Sequence, residues 1–125
     1  MKRVLVIDDS EFTLKTMQRS LHRHFDVITA NSGADGIAKA KSEKPDMILL
    51  DMMMPGMDGI QVCNHLTADE ETKDIPIIFV TSVDNRLIET KCLEMGARDY
   101  IEKPIMIELM IQRIENVLKF SERSQ

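Results

Sequence analysis

Acidic, hydroxyl and basic side chains follow four separate apolar runs of this chain. Asp8 and Asp9 follow the first run, Asp51 follows a second, and Thr81 and Lys103 follow two later runs. If these runs are parallel strands of one sheet, their carboxyl ends meet at one edge, which is where such sheets bind ligands. The spacing therefore predicts that side chains distant in the sequence converge on one site.

The residue types in this predicted site indicate phosphoryl chemistry. Three carboxylates close together repel one another unless a cation lies among them. Oxygen ligands favour a hard cation, and a small number of carboxylates with room for water and phosphate favours Mg²⁺. A lysine and a hydroxyl supply positive charge and a donor for the transferring oxygens. One of the carboxylates can itself act as the nucleophile and become an aspartyl-phosphate.

Each of these residues also has an ordinary structural explanation when it is considered alone. Asp9 or Ser10 could cap a helix, Asp51 could be a loop residue, and Lys103 could be a surface charge. Groups that follow four different strands are harder to explain in this way, so the functional interpretation is preferred.

The elements that must position these residues are short strands alternating with helices. Three of the apolar runs are continuous, which is typical of strands that helices cover on both faces. Amphipathic stretches separate the runs, with Ser32 as a predicted N-cap and Gly96 as a predicted helix end. The alternation predicts an α/β fold with a doubly wound parallel sheet of five strands and five helices. The strands are predicted at residues 4–7, 25–28, 47–50, 77–80 and 99–101.

Length and composition limit the class of protein. The chain has 125 residues, a length that is typical of one globular domain. Its net charge of −5 argues against direct binding of nucleic acid, which normally needs a basic face. Cys63 and Cys92 are too few for a disulfide scaffold, and we expect two reduced thiols. No apolar run is long enough to span a membrane or to form the core of a signal peptide, so we expect a cytoplasmic protein.

An ordered set of motifs resembles the receiver domain of two-component response regulators along essentially the whole chain. The motifs lie at residues 4–10, 48–59, 80–82 and 96–104. The resemblance implies the flavodoxin-like strand order 2-1-3-4-5. We expect the receiver domain to occupy residues 1–120 and residues 121–125 to form a loose polar end.

The resemblance also implies a role for each residue of the predicted site. Asp51 matches the phosphoacceptor, which receives the phosphoryl group from a phosphohistidine donor. Asp9 and Asp51 would hold Mg²⁺ with the backbone carbonyl of Met53, and Asp8 would do so directly or through water. Lys103 would pair with the phosphoryl group. The family pattern also places a cis peptide bond after this lysine, which the following proline allows.

A switch accompanies this chemistry in the family. Thr81 would bond a phosphoryl oxygen, and Tyr100 matches the aromatic residue that packs inward on activation. The surface made by the fourth helix, the fifth strand and the fifth helix would then change. On the fifth helix, Ile107 and Ile111 form either a docking patch or part of a wide core face. Met53 and Val83 match positions that flank the attacking water and tune the lifetime of the phosphoryl group.

The resemblance implies partners as well. These are a sensor histidine kinase or phosphotransfer protein of a phosphorelay, and a downstream protein target or attached output domain. It also allows a homodimer through the surface of the fourth helix, fifth strand and fifth helix. The domain would catalyse its own phosphotransfer and autodephosphorylation, and we leave open whether it should be called an enzyme.

Two other functions fit the same topology less well. A small aspartyl-phosphate phosphatase needs an additional acid or base, typically an Asp two residues after the nucleophile, and that position is Met53. A flavodoxin-like cofactor binder needs a loop rich in Ser, Thr and Gly after the first strand. Asp8 and Asp9 occupy that loop and would repel a phosphate in the absence of a metal. A phosphorylation-controlled switch is therefore the preferred prediction.

Overall fold

Five strands alternate with five helices in the computed structural model, which describes residues 1–82 and 86–123, apart from the side chains of residues 86–88 and 121–123. The strands are β1 (Arg3–Ile7), β2 (Asp26–Ala30), β3 (Met47–Asp51), β4 (Ile77–Thr81) and β5 (Asp99–Glu102). The helices are α1 (Glu11–Leu21), α2 (Gly33–Glu43), α3 (Gly59–Ala68), α4 (Arg86–Glu94) and α5 (Ile107–Arg123).

The five strands form one parallel sheet in the order β2-β1-β3-β4-β5. This order confirms the predicted topology. The chain reverses its direction of travel across the sheet between β1 and β3, which pair directly. The carboxyl ends of β1 and β3 therefore border the switch point at which α/β sheets bind ligands.

Helices cover both faces of the sheet, and the alternating side chains of each strand enter two separate cores. Leu5 and Ile7 of β1 pack with apolar residues of α2, α3 and α4, whereas Val4 and Val6 pack with those of α1 and α5. Every residue of β3 and β4 is buried. Burial on both faces explains why the predicted strands are continuous apolar runs.

Side-chain caps fix where three of the helices begin. The Ser10 side chain accepts a hydrogen bond from the Thr13 N–H at 3.2 Å, and Ser32 accepts one from the Asp35 N–H at 3.1 Å. Asp58 caps α3 in a reciprocal capping box with Gln61. Because Ser10 caps α1, the carboxylate of the preceding Asp9 is not needed for that purpose.

Some boundaries differ from the predicted ones. Phe25 lies before β2, because its N–H donates to the Leu21 carbonyl at the end of α1. The strand itself runs to Ala30, which pairs with Ile7 at the end of β1. Helix α5 continues to Arg123, beyond the predicted domain end at residue 120, and that division stays a prediction. Residues 124 and 125 and the predicted lifetime residue Val83 lie outside the described residues.

The structure bears on the two interpretations left open for Ile107 and Ile111 of α5. Ile107 and Ile111 are half-buried, and Ile111 packs against the core beneath α1 and α5. The exposed apolar side chains of α5 are instead Leu109 and Phe120, with Met106 just before the helix. Across the part of the chain that the structure describes, no helix combines the length and apolar character needed to cross a membrane.

Candidate functional site

The predicted site residues lie at the carboxyl edge of the sheet. Asp51 is the last residue of β3, and Thr81 is the last residue of β4. Asp8 directly follows β1, and Lys103 directly follows β5. Parallel pairing aligns these strand ends, so four separate parts of the chain meet at one edge.

Three carboxylates meet at this edge, and we call Asp8, Asp9 and Asp51 the acidic cluster. One carboxylate oxygen from each residue lies within 4.8 Å of the others. Asp8 and Asp51 are buried, whereas Asp9 is exposed and gives the cluster access to solvent. The Ser10 N–H donates to Asp8 Oδ1 at 2.9 Å and orients that carboxylate. This donor set, which consists of oxygen atoms only, suits a hard divalent cation.

Lys103 brings positive charge to the buried side of the acidic cluster. Its Nζ lies 3.2 Å from Asp8 Oδ2 and 3.5 Å from Asp51 Oδ1. The Lys103 N–H donates to the Thr81 carbonyl at 2.8 Å, which ties the start of the loop to β4. The peptide bond between Lys103 and Pro104 is cis, as predicted.

The electrostatics of Asp51 favour an additional cation. Burial raises the pKa of the Asp51 carboxyl above its ordinary value, and the charge of Asp8 raises it further. Lys103 and the backbone N–H of Met53 act in the opposite direction but do not reverse the shift. The neighbouring groups therefore do not fully balance the negative charge of ionised Asp51, and a bound divalent cation would stabilise that charge.

Thr81 and Tyr100 lie on one face of neighbouring strands. Phe79 pairs with Tyr100 across β4 and β5, and Thr81 is two residues beyond Phe79. Side chains two residues apart on a strand point to the same face. Thr81 is fully buried, and Tyr100 is only 6% exposed and packs in the core beneath α2, α3 and α4. In this structure, the ring therefore occupies an inward position.

Gly59, which the sequence analysis did not single out, supports the end of β3. Its N–H donates to the Met52 carbonyl at 2.9 Å. A Cβ atom at Gly59 would overlap the carbonyl oxygen of Asp51 and lie 2.8 Å from the Cα of Met52. This glycine therefore allows α3 to begin directly against the backbone that carries the Asp51 carboxylate. The sequence signal was its position just after the capping residue Asp58.

Comparison with known proteins bears on what this edge of the sheet does. Residues 4–115 match the family model of the response regulator receiver domain. The chain belongs to the receiver domain family of response regulators. It is thus a phosphoaccepting switch of the two-component type, and the phosphatase and flavodoxin-like alternatives are set aside.

Individual relatives of this receiver domain agree in sequence and in fold. Protein PilH of Pseudomonas aeruginosa is 40% identical over 119 residues, which cover 94% of this chain and 98% of PilH. Response regulator PleD of Caulobacter vibrioides is 39% identical over 119 residues, but the match covers only 26% of PleD. A solved CheY-like receiver domain protein from Methanospirillum hungatei superimposes with a TM-score of 0.92 at 25% identity, covering 100% of this chain and 99% of the other.

Proposed function

We propose that Asp51 is the phosphoacceptor of this receiver domain. The observation that carries the proposal is the position of Asp51, a buried carboxylate at the end of β3 that lies 3.5 Å from Lys103 Nζ and beside the carboxylates of Asp8 and Asp9. A phosphoryl group attached there would lie close to the Lys103 ammonium and to the carboxylates that could hold a metal ion. Neither Asp8, whose Oδ1 accepts the Ser10 N–H, nor the exposed Asp9 ends a strand in this way.

The proposed transfer is a displacement at phosphorus. A carboxylate oxygen of Asp51 attacks the phosphorus atom of a phosphohistidine, and a P–O bond forms as the P–N bond breaks. The imidazole nitrogen leaves with the electron pair and takes up a proton. The signal ends by hydrolysis. Water attacks the phosphorus of the aspartyl-phosphate, which releases inorganic phosphate and restores the carboxylate.

Lys103 and Thr81 stabilise the transferred group in this proposal. The Lys103 ammonium pairs with a phosphoryl oxygen, and the Thr81 hydroxyl donates to another. Both act through positioned charge and hydrogen bonds, which is how proteins accelerate phosphoryl transfer. The Met53 side chain, which is 63% exposed, offers no hydrogen bond to an attacking water. We expect this apolar group to prolong the lifetime of the aspartyl-phosphate.

Receiver domains generally bind Mg²⁺ at an acidic cluster, and here we assign that role to Asp8, Asp9 and Asp51 with the backbone carbonyl of Met53. The oxygen donors and the incompletely balanced charge of Asp51 fit this ion. When bound, Mg²⁺ supplies Lewis-acid stabilisation of the charge on the phosphoryl oxygens.

Titration with Mg²⁺ tests this ligand set. We expect amide NMR shifts to change first around the acidic cluster, with weak affinity because Mg²⁺ keeps several of its waters. The variant Asp9→Asn removes the exposed ligand and should weaken binding about tenfold, whereas Asp74→Asn, at an exposed position outside the acidic cluster, should not change it. Equal affinities for both variants would contradict the proposed ligands.

Phosphorylation in vitro tests the proposed role of Lys103. A phosphohistidine protein or acetyl phosphate should add one phosphoryl group in the presence of Mg²⁺, measured by intact mass. Lys103→Ala removes a positive charge that faces the transferred group and should slow labelling at least about tenfold. The matched control is Lys73→Ala, because Lys73 pairs with Glu70 at the surface. Unchanged labelling of Lys103→Ala would refute the assigned role.

Receiver domains interact with histidine kinases or phosphotransfer proteins and with output domains. For this chain, we propose a sensor kinase or phosphotransfer protein as donor and a downstream protein or attached output domain as recipient of the signal. The match covers nearly all of PilH but about a quarter of PleD, so either arrangement of output is compatible with the relatives. The cytoplasmic location and the lack of direct contact with nucleic acid stay predictions.

A further inference from the structure

Three consecutive methionines follow β3, and only the middle one reaches solvent. Met53 is 63% exposed, whereas Met52 is 4% exposed and Met54 is 8% exposed. Both flanking side chains pack in the core beneath α2, α3 and α4. They cannot join the middle side chain around a soft metal ion, which would need several thioethers turned towards one point. A single thioether of the three is therefore open to reagents in solution.

The backbone of Met53 is held beside Asp51. Its N–H donates a hydrogen bond to the Asp51 carboxylate. The preceding carbonyl, that of Met52, accepts a hydrogen bond from the Gly59 N–H at 2.9 Å. These contacts fix the loop from which the exposed thioether extends, so a chemical change in that side chain takes place next to the proposed phosphoacceptor.

Few other sulfur atoms compete for an oxidant. The structure describes all ten methionines, and the exposed ones are Met1, Met53 and Met106. Cys63 and Cys92 are buried free thiols. Burial raises the pKa of the Cys63 thiol to about 11 and also raises the pKa of Cys92. Because thiols react with oxidants as thiolates, both cysteines are protected at neutral pH.

We propose that Met53 is an oxidation site that controls how long Asp51 stays phosphorylated, an inference that rests on the proposed function. The oxidant is of the peroxide class. The Met53 sulfur attacks one oxygen of hydrogen peroxide, and an S–O bond forms as the O–O bond breaks. The departing hydroxide takes the proton of the transferred oxygen and leaves as water. Sulfur is thereby oxidised by two electrons to a sulfoxide, and the peroxide is reduced.

Oxidation changes what this side chain offers to a water molecule. The thioether sulfur is a weak hydrogen-bond acceptor, whereas a sulfoxide is polar and accepts through its oxygen. A water that donates to this oxygen is oriented for attack on the phosphorus of the aspartyl-phosphate, and orienting the attacking water accelerates hydrolysis of a phosphoryl group. The proposed metal ligand is the backbone carbonyl of Met53, which oxidation leaves unchanged. The oxidised domain is therefore still phosphorylated but loses the phosphoryl group faster.

Dephosphorylation kinetics with and without peroxide treatment test this inference. The protein is treated with dilute hydrogen peroxide, desalted, phosphorylated with acetyl phosphate and Mg²⁺, and separated from the donor. Intact mass then follows the loss of the phosphoryl group, and fragment mass spectrometry locates the added oxygen atoms. We expect oxidation of Met53 without oxidation of Met52 or Met54, and dephosphorylation at least about threefold faster than in untreated protein. Methionine sulfoxide reductase with a dithiol should restore the slow rate.

Substitutions separate the effect of Met53 from that of other exposed methionines. Met53→Leu keeps an apolar side chain without sulfur, so peroxide treatment should no longer change its dephosphorylation rate. Met106→Leu is the matched control, because Met106 is 71% exposed but lines a cavity with Leu109 and Arg113 of α5. Its response to peroxide should match that of the wild type. Met53→Gln supplies a carbonyl oxygen without oxidant and should dephosphorylate at least about threefold faster than Met53→Leu.

The possible outcomes separate this inference from the proposed function. Untreated wild type that acquires no phosphoryl group at Asp51 overturns both. Protein that is phosphorylated normally and oxidised at Met53, but keeps its phosphoryl group as long as before or longer, overturns this inference alone. Oxidation of Met52 or Met54 ahead of Met53 has the same consequence, as does an acceleration by peroxide that persists in Met53→Leu.

Discussion

Asp51→Asn is expected to abolish phosphorylation of this receiver domain by any donor. The amide replaces the nucleophilic oxygen and cannot form the acyl phosphate, so labelling should fall to the background of an unreacted control. The rest of the site stays in place, because Lys103 keeps its contact with Asp8 at 3.2 Å. Time courses of intact mass with acetyl phosphate and Mg²⁺ measure the effect.

The stability of the Asp51→Asn variant provides the control. Burial raises the pKa of Asp51 in the folded protein, with a further increase from the charge of Asp8. A raised pKa means that the folded state favours the protonated acid, so ionised Asp51 destabilises the fold as the pH rises through that value. The neutral amide removes this cost. We therefore expect the variant to be at least as stable as the wild type at neutral pH, so that a loss of labelling cannot be attributed to unfolding. Continued stoichiometric labelling of the variant would show that another residue is the acceptor.

Gly59→Ala is expected to destabilise the fold by about 3 kcal/mol or more. The added methyl group would overlap the carbonyl oxygen of Asp51 and lie 2.8 Å from the Cα of Met52. Both atoms belong to the backbone, so the clash cannot be relieved by turning a flexible side chain. Urea unfolding at neutral pH measures the loss, and slower phosphorylation should accompany it because the end of β3 must move.

Gly56→Ala is the matched control for this prediction. Gly56 has a positive φ of 79°, but in the described part of the chain no atom other than those of its two sequence neighbours lies within 4 Å of the position that a Cβ would take. An alanine there should cost only about 1–2 kcal/mol, from the left-handed backbone alone. A loss for Gly59→Ala no larger than that for Gly56→Ala would show that close packing against Asp51 is not important.

Much of the fold could be predicted from residue patterns because local and global preferences agree. The runs that contain Val4, Met47 and Ile77 are continuous because helices cover both faces of the central strands. The parallel topology then placed Asp8, Asp51 and Lys103 at one edge. Sequence patterns predicted the bounds of the edge strand β2 less accurately. This strand is only partly buried, and where it starts depends on its register with β1.

Other features depended on distances that sequence spacing does not contain. Asp9 and Ser10 are both good capping residues, and only the hydrogen bond from the Thr13 N–H identifies Ser10 as the cap. The sequence places Gly59 at the start of a helix, but it does not show how closely this residue approaches the backbone at the end of β3. The exposed face of α5 also depends on how the helix is rotated against the sheet, which a broad apolar pattern does not determine.

The assignment of Asp51 is tested directly by identifying the residue that carries the phosphoryl group. Wild-type protein should be phosphorylated with and without Mg²⁺, treated with borohydride to reduce the acyl phosphate, and mapped by fragment mass spectrometry. We predict a single Mg²⁺-dependent modification, at Asp51. A modification at Asp8, Asp9 or any other residue, or labelling that does not depend on Mg²⁺, would contradict the proposed role of Asp51 as the phosphoacceptor.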